Sequence, residues 1–252
     1  MPAAYDSYNY QEYWDNRQYE HLSEVSVIKR FLDQIPNIKK IIEIGGGFGR
    51  MVPYYNFRAK TVILTDPSAG LLSQARNLLS NYKNINFIQS KIENFDSKFR
   101  ASTFDLAIMI RVMHHVTNPR VIIKKVARIL KPQGYFIFEF ANKVHFKNVF
   151  KNALHGNLTY MADITPEDRR SSKMIKRGTL PFVNYHPDEI KEVFKKNGFK
   201  ILEVMSVSNI RSPFLKKYLP LSLLVNIENL LQKPLSYLNF GPSIFILARK
   251  VG

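Results

Sequence analysis

Short apolar runs alternate along this chain with stretches whose apolar residues recur every three or four positions. In residues 20–32, Leu22, Val25, Val27 or Ile28, and Leu32 keep helical spacing, which predicts an amphipathic helix ahead of the first strand. β-rich runs follow at 41–44, 61–64, 85–88, 104–110 and 135–140, with helical patterns at 69–79 and 119–130 among them. Such alternation predicts βαβ units, and hence a parallel sheet with helices on both faces.

Nearer the carboxyl end, His186-Pro187-Asp188-Glu189 has the features of a helix start: proline fits the first turn, and the acids suit the positive end of the helix dipole. That helix is expected to reach residue 197 and stop at Gly198. Strands at 199–207 and 243–248 have no crossover helix pattern between them, so they are expected to pair antiparallel at one edge. The predicted fold is α/β: a doubly wound, mostly parallel, seven-stranded Rossmann-like sheet with an antiparallel last strand. Residues 141–186 and 209–242 exceed ordinary connection lengths and are read as functional insertions, the first as a substrate lid. Residues 1–37 are expected to form a helical lid, and 38–252 the main domain.

With 252 residues, 45% of them hydrophobic, the chain can bury a sizeable core, which excludes a disordered chain as the default. The absence of cysteine removes disulfides, thiolate zinc sites and cysteine nucleophiles together. The polar, tyrosine-rich opening has no apolar h-region and no run reaches transmembrane length. A cytoplasmic protein is expected, with peripheral attachment to the inner face of a membrane left open. A net charge of +17 favours anionic partners, unless the chain is simply basic all over. Residues 141–186 hold eight basic and three acidic side chains, and 209–242 four and one, so the insertions carry +5 and +3.

The run IIEIGGGFGR at 41–50 ends an apolar strand in four glycines, with Glu43 two residues before the first. Glycines let backbone approach a ligand, and a following helix would offer free N–H groups to an anion. A dinucleotide fingerprint starting at Gly45 needs its third glycine at position 50, where Arg50 stands. Gly45, Gly47 and Gly49 instead spell E-x-G-x-G-x-G. In VILTDPS, Asp66 ends the next strand, placed either to accept ribose hydroxyls or to cap the helix that follows.

In order and spacing, EIGGGFGR, TDPS, FDLAIMIRVMHHV and ARILKPQGYFIFE resemble the strand-end motifs of class I S-adenosylmethionine-dependent methyltransferases, in particular the type 11 methyltransferase domain, over about residues 38–140. The resemblance implies the methyltransferase fold, methyl transfer, and S-adenosyl-L-methionine as cofactor. It implies that Gly45 and Gly47 lie against the methionine part of the cofactor, with Gly46 and Gly49 completing the loop, and that Glu43 helps hold the amino group. Asp66 would bind the ribose, Pro67 would pack nearby, and Ile92 and Glu93 would lie in the adenine loop. Many relatives carry an aspartate for the adenine amino group; Lys91 stands at that position here, so Glu93 or a backbone carbonyl would have to substitute.

Methyl transfer from a sulfonium is an in-line displacement that asks mainly for alignment and exclusion of water. A base is needed only where the acceptor must lose a proton. Arg111, His114 and His115 follow the fourth strand at the carboxyl edge, where open α/β sheets bind ligands. His115, with His114, is the candidate base, unless both only brace that turn. Arg111 faces either a ligand carboxylate or solvent. Tyr13, Trp14 and Arg17, together with His145, Tyr185 and His186, are candidate substrate contacts; helix packing is the alternative for the first group and helix capping for His186. No histidine and carboxylate pair repeats at ligand spacing, so no metal site is expected.

The resembled subfamily implies a small-molecule or lipid-linked acceptor. RNA or tRNA methylation is the alternative suggested by charge, against the lack of an N-P-P-[YF] motif, where RVMH stands. A non-catalytic S-adenosylmethionine-binding protein is the third reading. Residues 211–240, with Lys216 and Lys217 among many leucines and Pro220 and Pro234 dividing three short pieces, suit an anionic membrane surface, a packed helical hairpin or a dimer interface. The oligomeric state stays open.

Overall fold

The computed structural model describes residues 10–251, so the first nine residues of the expected lid lie outside it. The chain opens with α1 (Tyr10–Asp15) and α2 (Gln18–Asp33), then runs through β1 (Lys40–Ile44), β2 (Thr61–Asp66), α3 (Ala69–Leu78), β3 (Ile85–Gln89), α4 (Phe95–Lys98), β4 (Phe104–Met109), α5 (Pro119–Ile129) and β5 (Leu130–Ala141). The first insertion forms α6 (Phe146–Leu154), β6 (Glu167–Asp168), α7 (Ser172–Lys176) and β7 (Val183–Asn184). After α8 (Pro187–Lys196) and β8 (Phe199–Val207), the second insertion supplies α9 (Pro213–Tyr218) and α10 (Leu221–Ser236) before β9 (Ser243–Lys250).

Seven strands form one sheet in the order β3-β2-β1-β4-β5-β9-β8. The first five run parallel, and β9 pairs antiparallel with both β5 and β8. Although last in sequence, β9 lies inside, because its residues from Ser243 to Ala248 are all buried. The outermost strand is β8, which leaves Lys200 exposed. Alternation along the strands feeds two cores. Ile42 and Ile44 face α5 and α8 through Ile122, Val126, Ile190 and Phe194, whereas Ile41 and Val62 face α2 and α3 through Ile28, Phe31 and Leu72.

Two sequence expectations need correction. The glycine loop leads into two 3-10 turns, Val52–Tyr54 and Asn56–Arg58, in place of an α-helix. Pro53 lacks an N–H, and the aromatic run Tyr54-Tyr55-Asn56-Phe57 has low helix propensity. Pro220 does separate α9 from α10, but Pro234 lies within the last turn of α10, where its missing N–H removes one bond near an end that is already finishing. No helix among the described residues is long and apolar enough to cross a membrane.

Candidate functional site

β1 delivers the buried Glu43 to the carboxyl edge of the sheet and then turns sharply. At Gly45 (φ +66) a Cβ would stand 2.4 Å from Val112 Cγ2; at Gly46 it would stand 2.3 Å from Leu64 Cδ1 and 3.0 Å from the Glu43 carboxylate. Neither position admits a Cβ without displacing the side chain of Val112 or Leu64. The loop closes through Gly49 N, which donates to the Gly46 carbonyl at 2.9 Å.

Asp66 is the last residue of β2, and its carboxylate accepts from Gly47 N at 2.9 Å and Ser68 N at 2.8 Å. It therefore braces the glycine loop against the second strand. The cap of α3 is Ser68, whose Oγ accepts from Leu71 N at 3.1 Å. Pro67 follows, its carbonyl accepting from Gln89 Nε2 at 3.0 Å. Beyond β3, Ile92 packs in the core near Phe95, while Lys91 and Glu93 are exposed.

A cavity of about 20 Å³ is lined by Glu43, Gly45, Gly46, Phe48, Arg50, Met51, Ile110 and Arg111. Burial raises the Glu43 carboxyl to about 7, against the lowering effects of the Tyr55 hydroxyl, which donates to it at 2.5 Å, and of nearby Arg50. Both arginines turn toward α2. The fully buried Glu24 accepts from Arg50 Nη2 at 2.6 Å and from Arg111 Nε at 2.7 Å. Burial alone would raise the Glu24 carboxyl, but Arg111 and Arg50 overcome it and hold it below the ordinary range. Arg50 Nη1 also donates to His21 Nδ1 at 2.5 Å, and burial and Arg50 together lower that imidazole to about 4, so it accepts as a neutral ring.

Trp14 closes this arrangement, its ring 3.5 Å from the Arg50 guanidinium and 5.7 Å from that of Arg111. Tyr13 meets Trp14 edge-on, and Arg17 lies 4.1 Å over the Tyr13 ring. A larger, open groove of about 640 Å³ runs past the α1–α2 turn, between Arg17, Tyr19, Glu20 and Lys216, Leu219, Leu224. Arg111 itself adopts φ +60, and the buried Glu139 of β5 accepts its N–H at 2.8 Å. Burial raises the Glu139 carboxyl despite Arg111.

The histidines fall into separate places. His114 and His115 end the 3-10 turn after β4, outside the lining of the glycine-loop cavity, and lie beneath the first insertion. His115 Nδ1 donates to the Pro181 carbonyl at 2.8 Å, and the His114 ring meets Phe182 at 4.9 Å. Burial lowers both imidazoles, with His115 and Arg111 adding to the effect on His114. Tyr185 is buried, its hydroxyl donating to the Val116 carbonyl. His186 caps α8: Nδ1 accepts from Asp188 N at 3.2 Å and Nε2 donates to the Met161 carbonyl at 3.0 Å, so both ring nitrogens are engaged. His145 precedes α6, lowered to about 4 by burial and by Arg211 and Arg169.

Glu43, Gly45, Gly46 and Arg111 thus meet around one cavity, and Gly47 and Asp66 meet beside it. Tyr185 and His186 lie apart from it. Sequence reasoning passed over Glu24, Arg50, Tyr55 and Glu139, although two of them carried a signal. Glu24 shares the apolar stripe of Val27, Ile28 and Phe31, and Glu139 interrupts the apolar run YFIFEFA.

A carboxylate, two guanidiniums and backbone amides around one glycine turn suit the ammonium and carboxylate of an amino-acid group, and Asp66 sits where a ribose would follow. On this fold, that donor set is the one expected of a class I S-adenosylmethionine-dependent methyltransferase. Residues 42–138 match the methyltransferase domain family, and S-adenosylmethionine is the cofactor. Among curated proteins, the chain is similar to the ubiquinone biosynthesis O-methyltransferase of Coxiella burnetii, 22% identical over 67% of this chain and 67% of that protein. It is also similar to the ubiquinone/menaquinone biosynthesis C-methyltransferase of Haemophilus ducreyi, 24% identical over 71% and 73% of the respective chains. A solved structure of the same fold is Burkholderia thailandensis 1,6-didemethyltoxoflavin-N1-methyltransferase, with a TM-score of 0.61 at 14% identity, covering 96% of this chain and 84% of that one.

Proposed function

We propose that the enzyme methylates a small molecule or a lipid-linked metabolite. One observation carries this reading: the arginines beside the glycine loop, Arg50 and Arg111, are both turned inward onto Glu24, so the positive charge nearest the site is half balanced internally and largely withdrawn from a polyanion. The names of the curated relatives, which act in quinone biosynthesis, agree with it.

When bound, S-adenosylmethionine supplies an activated methyl on a sulfonium. Glu43 would hold its ammonium, Arg111 its carboxylate, and the amides of Gly45, Gly46, Gly47 and Gly49 would border the methionine part. Asp66 would accept the ribose hydroxyls, with Pro67, Ile92 and Glu93 around the adenine. A cavity of about 20 Å³ has room for about one water, so side chains around it must move to admit the cofactor. Where the acceptor must lose a proton, His115 takes it. With Nδ1 carrying the proton given to Pro181, its basic lone pair is on Nε2.

The test is to incubate the protein with methyl-labelled S-adenosylmethionine and fractionated cell extract. Label is expected in the lipid or small-molecule fractions; label confined to RNA would overturn the proposal.

A further inference from the structure

One helix from each of the two insertions buries polar side chains while large apolar ones stand exposed. An amphipathic helix ordinarily faces its apolar stripe to the core. On α10 the buried residues are Leu224, Glu228, Gln232 and Ser236. Glu228 accepts from Tyr19 Oη at 2.5 Å and from Asn209 Nδ2 at 3.0 Å, and Gln232 Nε2 donates to the Ser23 carbonyl at 2.9 Å. Outward stand Leu223 and Leu230, the latter 77% exposed. On α6 the buried residue is Asn148, whose Nδ2 donates to the Lys143 carbonyl at 3.1 Å. Outward stand Phe146, Phe150 and Leu154, exposed by 52%, 55% and 71%.

The exposed stripe of α6 meets the end of the second insertion at Phe240. Phe146 stacks on Phe150 at 6.0 Å and on Phe240 at 5.0 Å between ring centroids, and Phe146 N donates to the Phe240 carbonyl at 2.9 Å. Phe240 lies just past α10, two residues after the exposed Leu238. A spacing of four residues keeps Phe146, Phe150 and Leu154 within about 80° of one another around the helix axis. The same geometry sets the exposed Lys147 and Lys151 along one border of that stripe.

We propose that this joint face docks the enzyme on an anionic lipid bilayer, with the aromatic and leucine side chains entering the interface and the lysines reaching lipid phosphates. Hydrogen-bonded polar groups share the inner faces of both helices, and Phe146, Phe150, Leu154 and Leu230 are left largely outside the packing. Charge selects the occupant. The insertions carry +5 and +3, so a second copy placed symmetrically on this face would set lysine against lysine, whereas an anionic surface complements both. The inference deepens the lipid-linked reading and rests on it only for what docking would deliver.

Flotation of the full chain tests it, with vesicles of phosphatidylcholine and phosphatidylglycerol compared with phosphatidylcholine alone. The protein is expected to float with the anionic vesicles at low salt and to be released at about 0.5 M salt. The double variant Phe150→Ser/Leu154→Ser, changed only at exposed positions, should keep the wild-type circular dichroism and S-adenosylhomocysteine binding while its vesicle-bound affinity falls about tenfold or more. Wild type staying in solution with both vesicle types overturns the proposal, as does a double variant that floats like wild type. A wild-type dimer made monomeric by the double variant would identify the face as an interface between copies, also against it. The labelling experiment reads separately: label in lipid without flotation refutes docking alone, and flotation with label confined to RNA refutes the acceptor alone.

Discussion

Glu24 on α2 grips Arg111 at the end of β4 through a single oxygen, Oε1, which lies 2.7 Å from Nε and 2.5 Å from Nη2. Its other oxygen takes Arg50, so one buried carboxylate ties the amino-terminal helix to both sides of the glycine-loop cavity. Removing one partner of a buried pair leaves the other charges uncompensated, which costs about 3–5 kcal/mol. Glu24→Gln is therefore expected to lower the unfolding free energy by about that amount in urea titration. A loss under about 1 kcal/mol, as for exposed pairs, would show that water replaces the carboxylate.

The raised Glu43 carboxyl gives a pH dependence with a definite sign. The folded chain holds this proton more tightly than the unfolded one, so the contribution of Glu43 to stability is fully present below about 4.5 and is lost as pH rises through about 7. Thermal unfolding of the cofactor-free protein should thus weaken across that window by more in wild type than in Glu43→Gln. S-adenosylhomocysteine affinity should move the opposite way, rising through the same window as the carboxylate forms, and this rise should be absent in Glu43→Gln. Calorimetry at several pH values checks both; parallel curves for the two proteins would remove Glu43 from the ammonium site.

The sheet was legible because its signals are local. Each parallel strand is an apolar run ended by a turn residue. The expected antiparallel pairing of β8 with β9 is found, but its premise is not, because α9 and α10 lie between the two strands. The candidate cofactor residues come together for the same reason, since Glu43 and the glycines share one turn and Asp66 ends the adjacent strand. What the chain does not spell out is contact across long separations. Arg50 drew notice only as the residue that spoils a dinucleotide fingerprint, and its partners Glu24 and Trp14 lie on helices before the domain. In the same way, the leucines of 211–240 gave the presence of an amphipathic segment but not its orientation, which is set by the buried polar partners of Glu228 and Gln232.

Asp66 is expected to serve twice, as brace of the loop and as ribose ligand. Asp66→Ala should weaken S-adenosylhomocysteine binding by about 1.5–3 kcal/mol, the cost of charged hydrogen bonds. Asp66→Asn keeps an oxygen for Gly47 N or Ser68 N, so it should retain more stability than alanine while losing comparable affinity. Affinity unchanged in both variants would leave Asp66 as a brace only.

His115 has the geometry of a base held in one tautomer. Its Nδ1 proton is given to the Pro181 carbonyl, and burial lowers the imidazole below its usual value, so it is neutral near pH 7. If it accepts the acceptor's proton, methyl transfer should rise with pH along an acid limb below the ordinary histidine range and stay level above it. His115→Asn places an amide nitrogen near the Nδ1 position, preserving the bond to Pro181 while deleting Nε2. The expected result is a fall in kcat of about 10²–10⁴ with cofactor affinity unchanged and the acid limb gone. Should His115 only brace the turn under the first insertion, the asparagine variant would keep both kcat and the acid limb, and His115→Ala would lose stability in its place. Transfer of label from methyl-labelled S-adenosylmethionine, followed across pH for wild type and both variants, separates the two roles.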